Sequence, residues 1–169
     1  LVQPAGVRLG VPDRFPAITI RRPWIDCIAH GFKQVENRGR HVRYRGRLAL
    51  HAARVADAAA DRDLRVAAMW GSRVRIGQPV GAVVKVATLV DCHQVQPDVG
   101  TCCLPCGDRY YSTSRRQVLA WHLVLDNIVH LPEPVYCRGQ QGVPWMLPPD
   151  VATRVATQLG ETQQREEEG

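Results

Sequence analysis

The sequence has no phosphate-binding glycine loop, no dinucleotide fingerprint, no serine–histidine–aspartate order and no internal repeat. Those absences set aside P-loop nucleotide enzymes, Rossmann-type oxidoreductases, triad hydrolases and repeat solenoids. An unbroken apolar stretch is also missing from Leu1–Val11, which interleaves Pro4, Gly6, Arg8 and Gly10 with aliphatic residues. It fits a loose leader and fails as a signal peptide or membrane span, so no membrane partner is expected. With no export signal the chain is expected in the cytoplasm, where its six cysteines stay reduced. Lysine is nearly absent, at two residues against twenty arginines. Almost every positive charge is therefore a planar fork that can pair bidentately with phosphate and stack on a base.

Acidic residues are the next shortage. Sixteen of them face 22 basic ones, for a formal charge of +6 and a pI near 9.3. The imbalance is concentrated: Leu1–Arg54 holds eleven basic residues against Asp13, Asp26 and Glu36, a local excess of 11 − 3 = +8. A charge field of that kind points to an anionic partner.

The 169 residues fit one domain with a real core. Ala17–Ile20 reads as a buried strand, Pro23 opens a helix to about His30, and Gly31 stops it. Lys33–Arg38 alternates as an unusually polar strand, and Leu48–Ala53 as an apolar one. Val55–Trp70, rich in alanine, predicts a helix with Asp57, Asp61 and Asp63 on its solvated face. Pro79–Val90 is the sheet's spine, and Val118–Leu125 returns as a strand. Asp126-Asn127 then turns the chain into short closing strands around Pro132 and Pro134, which suit an edge. Residues 110–116 form a polar loop or hairpin whose tyrosines and arginines suit base stacking and phosphate contact. Arg138–Gly142 is a flexible turn, Val151–Leu159 a short helix, and Glu161–Gly169 an acidic tail expected to be disordered. The domain itself is placed at 15–149, after a leader at 1–14 and before the helix and tail at 150–169.

Zinc is the candidate ion. Cys92, Cys102, Cys103 and Cys106 can supply four thiolates, with His93 beside them. Only Cys103 and Cys106 have Cys-x-x-Cys spacing, and no second such pair follows. Cys27 and Cys137 read as small core residues, and no organic cofactor is expected.

Three segments carry a family resemblance. Arg21-Arg22-Pro23-Trp24 has the form R-x-P-W, and Gly31–Arg38 has the form G-x-K-x-V-E-N-R. Tyr44-Arg45-Gly46-Arg47-Leu48 then turns into a strand ending His51-Ala52-Ala53. In this order they resemble the ASCH domain of the PUA-like superfamily, and the resemblance resumes at Gly81–Cys92 and near Trp145. It implies an α+β fold, a small PUA-like β-barrel with flanking helices. It further implies nucleic-acid binding, RNA ahead of DNA, in a basic cleft lined by Arg21, Pro23, Trp24, Lys33, Glu36, Asn37, Arg38, Tyr44 and Arg45. Some relatives are acetylcytidine amidohydrolases that use a lysine and a threonine three residues later. Lys33 matches that lysine, but Glu36 stands where the threonine would be, so the nucleophile is missing. Other relatives resemble ribonucleases, in which Lys33 and Glu36 would be catalytic, with His51 as a further proton carrier. A protein-interaction module is the third class.

Overall fold

The apolar run after Phe15 forms β1 (Pro16–Ile20), and the chain passes at once into α1 (Trp24–Ala29). The computed structural model describes residues 14–96 and 102–167, so the expected leader lies outside it except for Arg14. Gly31, at φ +77°, ends α1 as expected. There follow β2 (Val35–Arg38), β3 (Gly46–Ala52), α2 (Leu64–Trp70) and β4 (Ala82–Gln94). A hairpin of β5 (Tyr110–Ser112) and β6 (Gln117–Leu119) precedes β7 (Trp121–Tyr136), β8 (Trp145–Met146) and α3 (Pro149–Glu167).

Six strands form one sheet in the order β2-β7-β4-β3-β1-β8, with β1 and β3 parallel and the other neighbours antiparallel. Strand alternation sends side chains to two cores. Ile18, Ile20, Leu48 and Leu50 pack with Ile25 and Ile28 of α1 on one face. Ala17 and Ala49 point the other way, where they pack with Val83, Val135 and Trp145 against Val151, Ala152, Val155 and Leu159 of α3. Those four α3 residues follow helical spacing. The α+β class is as expected. The barrel implied by the resemblance takes the form of an ordered sheet; among the described residues no backbone pairing joins β2 to β8. A side chain bridges part of the gap, since Arg38 of β2 donates through Nη2 to the Thr19 carbonyl of β1 at 2.8 Å.

Three expectations change. The helix expected at Val55–Trp70 is helical only at a 3₁₀ turn, Ala60–Arg62, and in α2. Asp63 is extended and accepts the Arg65 backbone N–H at 2.8 Å, capping α2 rather than lying on its surface. The turn at Asp126-Asn127 does not reverse the chain, because β7 is one 16-residue strand. Asn127 (φ +45°) accompanies a bulge, the pairing stepping from Thr88↔Asp126 to Val86↔Val129. Pro132 and Pro134 fall where β7 leaves register with β4, between His130 and Val135, which removes the need for their missing N–H groups. Finally, α3 continues through Glu167, so the stretch expected to be disordered is helical that far. Its Gln, Arg and Glu residues are good helix formers.

Candidate nucleic-acid interface and metal-ligating cluster

Lys33 is buried, at 2% exposure, between α1 and β2. Its ammonium donates to the Val35 carbonyl and to Glu36 Oε2 at 3.1 Å, and lies 5.7 Å from the centre of the Trp24 ring. Glu36, also buried, holds Arg38 Nη2 through its other oxygen at 3.3 Å. These three residues of the polar strand thus form an internal ion network with Glu36 in the middle. The Arg65 guanidinium lies 5.5 Å from the Trp24 ring, whose indole N–H donates to Asp57 at 3.3 Å.

Asn37 faces away from Glu36. Its amide donates to the Cys106 carbonyl at 2.8 Å and to Asp108 at 2.9 Å, and its oxygen accepts the Asp108 N–H at 3.0 Å. Asp108 also pairs with Arg65 at 2.6 Å. Arg45 donates to the carbonyls of Val42, Tyr44 and Cys92 and lies 3.8 Å from Asp91. Tyr44 lines a shallow groove with Phe15, Arg47, Ala156 and Leu159, and its hydroxyl donates to the Arg47 carbonyl. Arg21 is exposed at the end of β1, and Pro23 is buried. The structure therefore joins Lys33, Glu36, Arg38 and Trp24, ties Asn37 to the cysteine loop, and sets Tyr44 against α3.

The residues that sequence reading weighed less lie at the surface. The β2–β3 connection carries Arg40, Arg43 and Arg45, all exposed, and its Gly39 sits against Tyr111 of the hairpin so closely that a Cβ would fall 2.9 Å from the ring. His41 packs on Trp121 at 4.7 Å between ring centres. Arg109, Tyr110, Arg115 and Arg116 are exposed along the same hairpin, with Arg109 5.6 Å from the Tyr110 ring. Among the described residues, Arg40, Arg43, Arg109, Arg115 and Arg116 form no ion pair.

The cysteine loop gives a different ligand set from the expected one. Cys92 is buried in the main core, where it accepts the Val42 N–H, and Cys106 is buried apart from the cluster. Cys102 and Cys103 instead meet His93 and His122, with one donor atom from each lying within 4.8 Å of all the others. His93 and His122 are cross-strand partners on β4 and β7. This group could hold a metal ion. Sequence spacing could not supply His122, because only the β4–β7 register brings it there.

His51 is buried on the α3 side of β3. Nε2 donates to the Cys137 carbonyl at 3.1 Å, while Nδ1 is buried with no partner. Burial pushes its imidazole below the ordinary 6.5. The unfolded chain thus takes up protons first as pH falls, and stability is lost as pH drops through about 6.5. Burial lowers His130 in the same direction. The melting temperature is expected to fall between about pH 7.5 and about pH 5.5, and less steeply in His51→Gln. Equal slopes in both proteins would remove His51 from the account. Arg138–Gly142, expected to be a flexible turn, is fitted to this histidine: a Cβ on Gly139 would lie 2.5 Å from His51 Cε1 and 3.0 Å from Thr19 Oγ1. Gly139→Ala is expected to destabilise by about 1–3 kcal/mol through overpacking, as read by urea unfolding.

The fold is thus a six-stranded mixed sheet with a helix on each face and a polar strand at one edge. The chain superposes on a solved tyrosine-to-phenylalanine variant of the ASCH protein of Zymomonas mobilis at a TM-score of 0.52, with 14% identity over 84% of this chain and 96% of that one. A second structure of the Zymomonas mobilis ASCH protein aligns at a TM-score of 0.47, with 13% identity over 84% and 93% of the two chains. At 14% identity the first superposition is a likeness of fold, and it agrees with the resemblance carried by the motifs. No family model matches the chain, and no curated protein matches it in sequence. Among the described residues no helix is long and apolar enough to cross a membrane.

Proposed function

We propose that this protein binds nucleic acid, with single-stranded or structured RNA ahead of DNA, as a non-catalytic reader in the cytoplasm. The observation that carries the reading is the packing of the β2–β3 connection on the β5–β6 hairpin, Gly39 against Tyr111. It gathers exposed, unpaired arginines from two segments around exposed tyrosine. Arginine forks there neutralise phosphates, and Tyr110 offers a face on which an unpaired base stacks. Of the residues implied by the resemblance, Arg21 and Arg45 are exposed. Lys33 and Glu36 support this surface from within, Glu36 pairing with Arg38 and Lys33 lying over the Trp24 ring. A-form duplexes hide their base edges in a deep groove, so a stacking surface favours single strands and loops.

The test is a binding and cleavage titration on labelled single-stranded RNA, duplex RNA, single-stranded DNA and duplex DNA across a range of salt. Tightest binding to single-stranded RNA, weakening steeply with salt and leaving the strand intact, is the expected result. Failure to bind any of the four at low salt would sink the reading and put a protein partner first. Cleavage by the wild type that Lys33→Ala/Glu36→Ala lacks would replace the reader with a ribonuclease.

A further inference from the structure

We infer that Cys102, Cys103, His93 and His122 form a tetrahedral zinc site that fastens the root of the β5–β6 hairpin to the ends of β4 and β7. The distances carry this. With Zn–S near 2.3 Å and Zn–N near 2.0–2.1 Å, a Cys₂His₂ tetrahedron has edges of about 3.3–3.8 Å. Cys102 Sγ lies 3.2 Å from His122 Nδ1 and 3.3 Å from His93 Nε2, and Cys103 Sγ lies 3.6 Å from His93 Nε2. Three of the six donor–donor edges are thus close to those the ion would impose, and all six lie within 4.8 Å.

The imidazoles are also oriented for it. His122 donates through Nε2 to the Asp108 carbonyl at 2.8 Å, and His93 donates through Nδ1 to Asp91 Oδ2 at 2.5 Å. Each ring therefore spends its N–H on an outside acceptor and turns its other nitrogen toward sulfur, His93 to both thiols and His122 to Cys102, as metal-bound histidines do. Adjacent cysteines in extended chain would point apart. Here Cys103 adopts φ +61°, and that left-handed residue turns both thiols to one side. Gly107 donates its N–H to the Cys103 carbonyl at 2.7 Å and sits so close to the Cys102 carbonyl that a Cβ would fall 2.3 Å from it. Two soft sulfurs with two imidazoles in tetrahedral array select zinc over calcium or magnesium, and four protein ligands make the site structural.

The site is joined to both ends of the hairpin: β6 ends at Leu119, just before His122 on β7, and Asp108 links the site to β5. Asp108 orients His122 with its carbonyl while its carboxylate holds Asn37 and Arg65, and β5 begins two residues later. The zinc inference stands independently of nucleic-acid binding, because it is tested on the protein alone.

Protein is purified under reductant from zinc-supplemented culture, and its metal is counted by mass spectrometry. One zinc per chain is expected. It should be lost in Cys102→Ser/Cys103→Ser and retained in Cys92→Ser/Cys106→Ser, which removes the two nearby thiols that lie outside the cluster. Wild type stripped of metal and titrated with cobalt(II) should develop intense tetrahedral d–d bands and thiolate charge-transfer absorption, saturating at one equivalent. This arm needs no variant to fold. Stripping should also lower the melting temperature and speed proteolysis within the hairpin. Less than a tenth of an equivalent of zinc, or an octahedral cobalt spectrum, would overturn the site. So would zinc that survives loss of Cys102 and Cys103.

Discussion

Replacing Lys33 by methionine is expected to destabilise the protein by about 3–5 kcal/mol, although the new side chain fills a similar volume. The ammonium is enclosed, and its partners are the Val35 carbonyl and Glu36. Methionine would leave Glu36 buried with Arg38 as its remaining partner, and Arg38 already carries a buried Nε with no acceptor. Removing one member of a buried pair exacts the desolvation of the other without its Coulombic return. The second change that tests this is Lys33→Met/Glu36→Leu, which should recover part of the loss because no buried carboxylate short of a cation remains. Urea unfolding of the two variants beside wild type gives both numbers. A single variant as stable as wild type would show the network contributes nothing, and would free Lys33 and Glu36 for the catalytic roles implied by ribonuclease-like relatives.

The other large effect lies at the surface. Changing Arg40, Arg43, Arg115 and Arg116 together to glutamine should weaken single-stranded RNA binding on the order of a hundredfold at moderate salt. Each phosphate contact on a single strand contributes about 0.7 to the slope of log affinity against log salt, so losing four should flatten it by about 2.8. All four side chains are exposed, so the melting temperature should stay put. Arg154→Gln, on the exposed side of α3, serves as the control and should bind as wild type does. A quadruple variant with unchanged slope would show that the phosphates run elsewhere.

How far the sequence disclosed all this can be judged from particular residues. The segment from Ile18 to Ala52 was legible because each element there carries its own signal: Pro23 opens α1, Gly31 closes it, and Leu48 and Leu50 alternate with Ala49. β7 was not legible as one strand, since its bulge at Asn127 and its prolines imitate turns. Asp63 broke a helix that alanine content alone would have extended. In the site, alternation makes the polar strand legible but not its depth. Alternation tells which side chains share a face, and only the docking of α1 and Trp24 tells that the face is enclosed. The cysteine cluster was half visible, because Cys102 and Cys103 are neighbours in sequence while His122 joins them through strand pairing.

The strand order has a consequence for how the chain must be made. β1 meets β8 through Ala17 and Trp145, and β2 meets β7 through Val35 and Val124. Both early strands thus emerge from the ribosome long before their partners are synthesised. Ile18 and Ile20 wait without a finished core, while β1 and β3 can pair with each other but have no α3 to cover the Ala17–Ala49 face. Long-range pairings of this kind form late and slowly. Nascent chains arrested before Trp145 should therefore bind holdase chaperones, and release of the last helix should be the step that frees them.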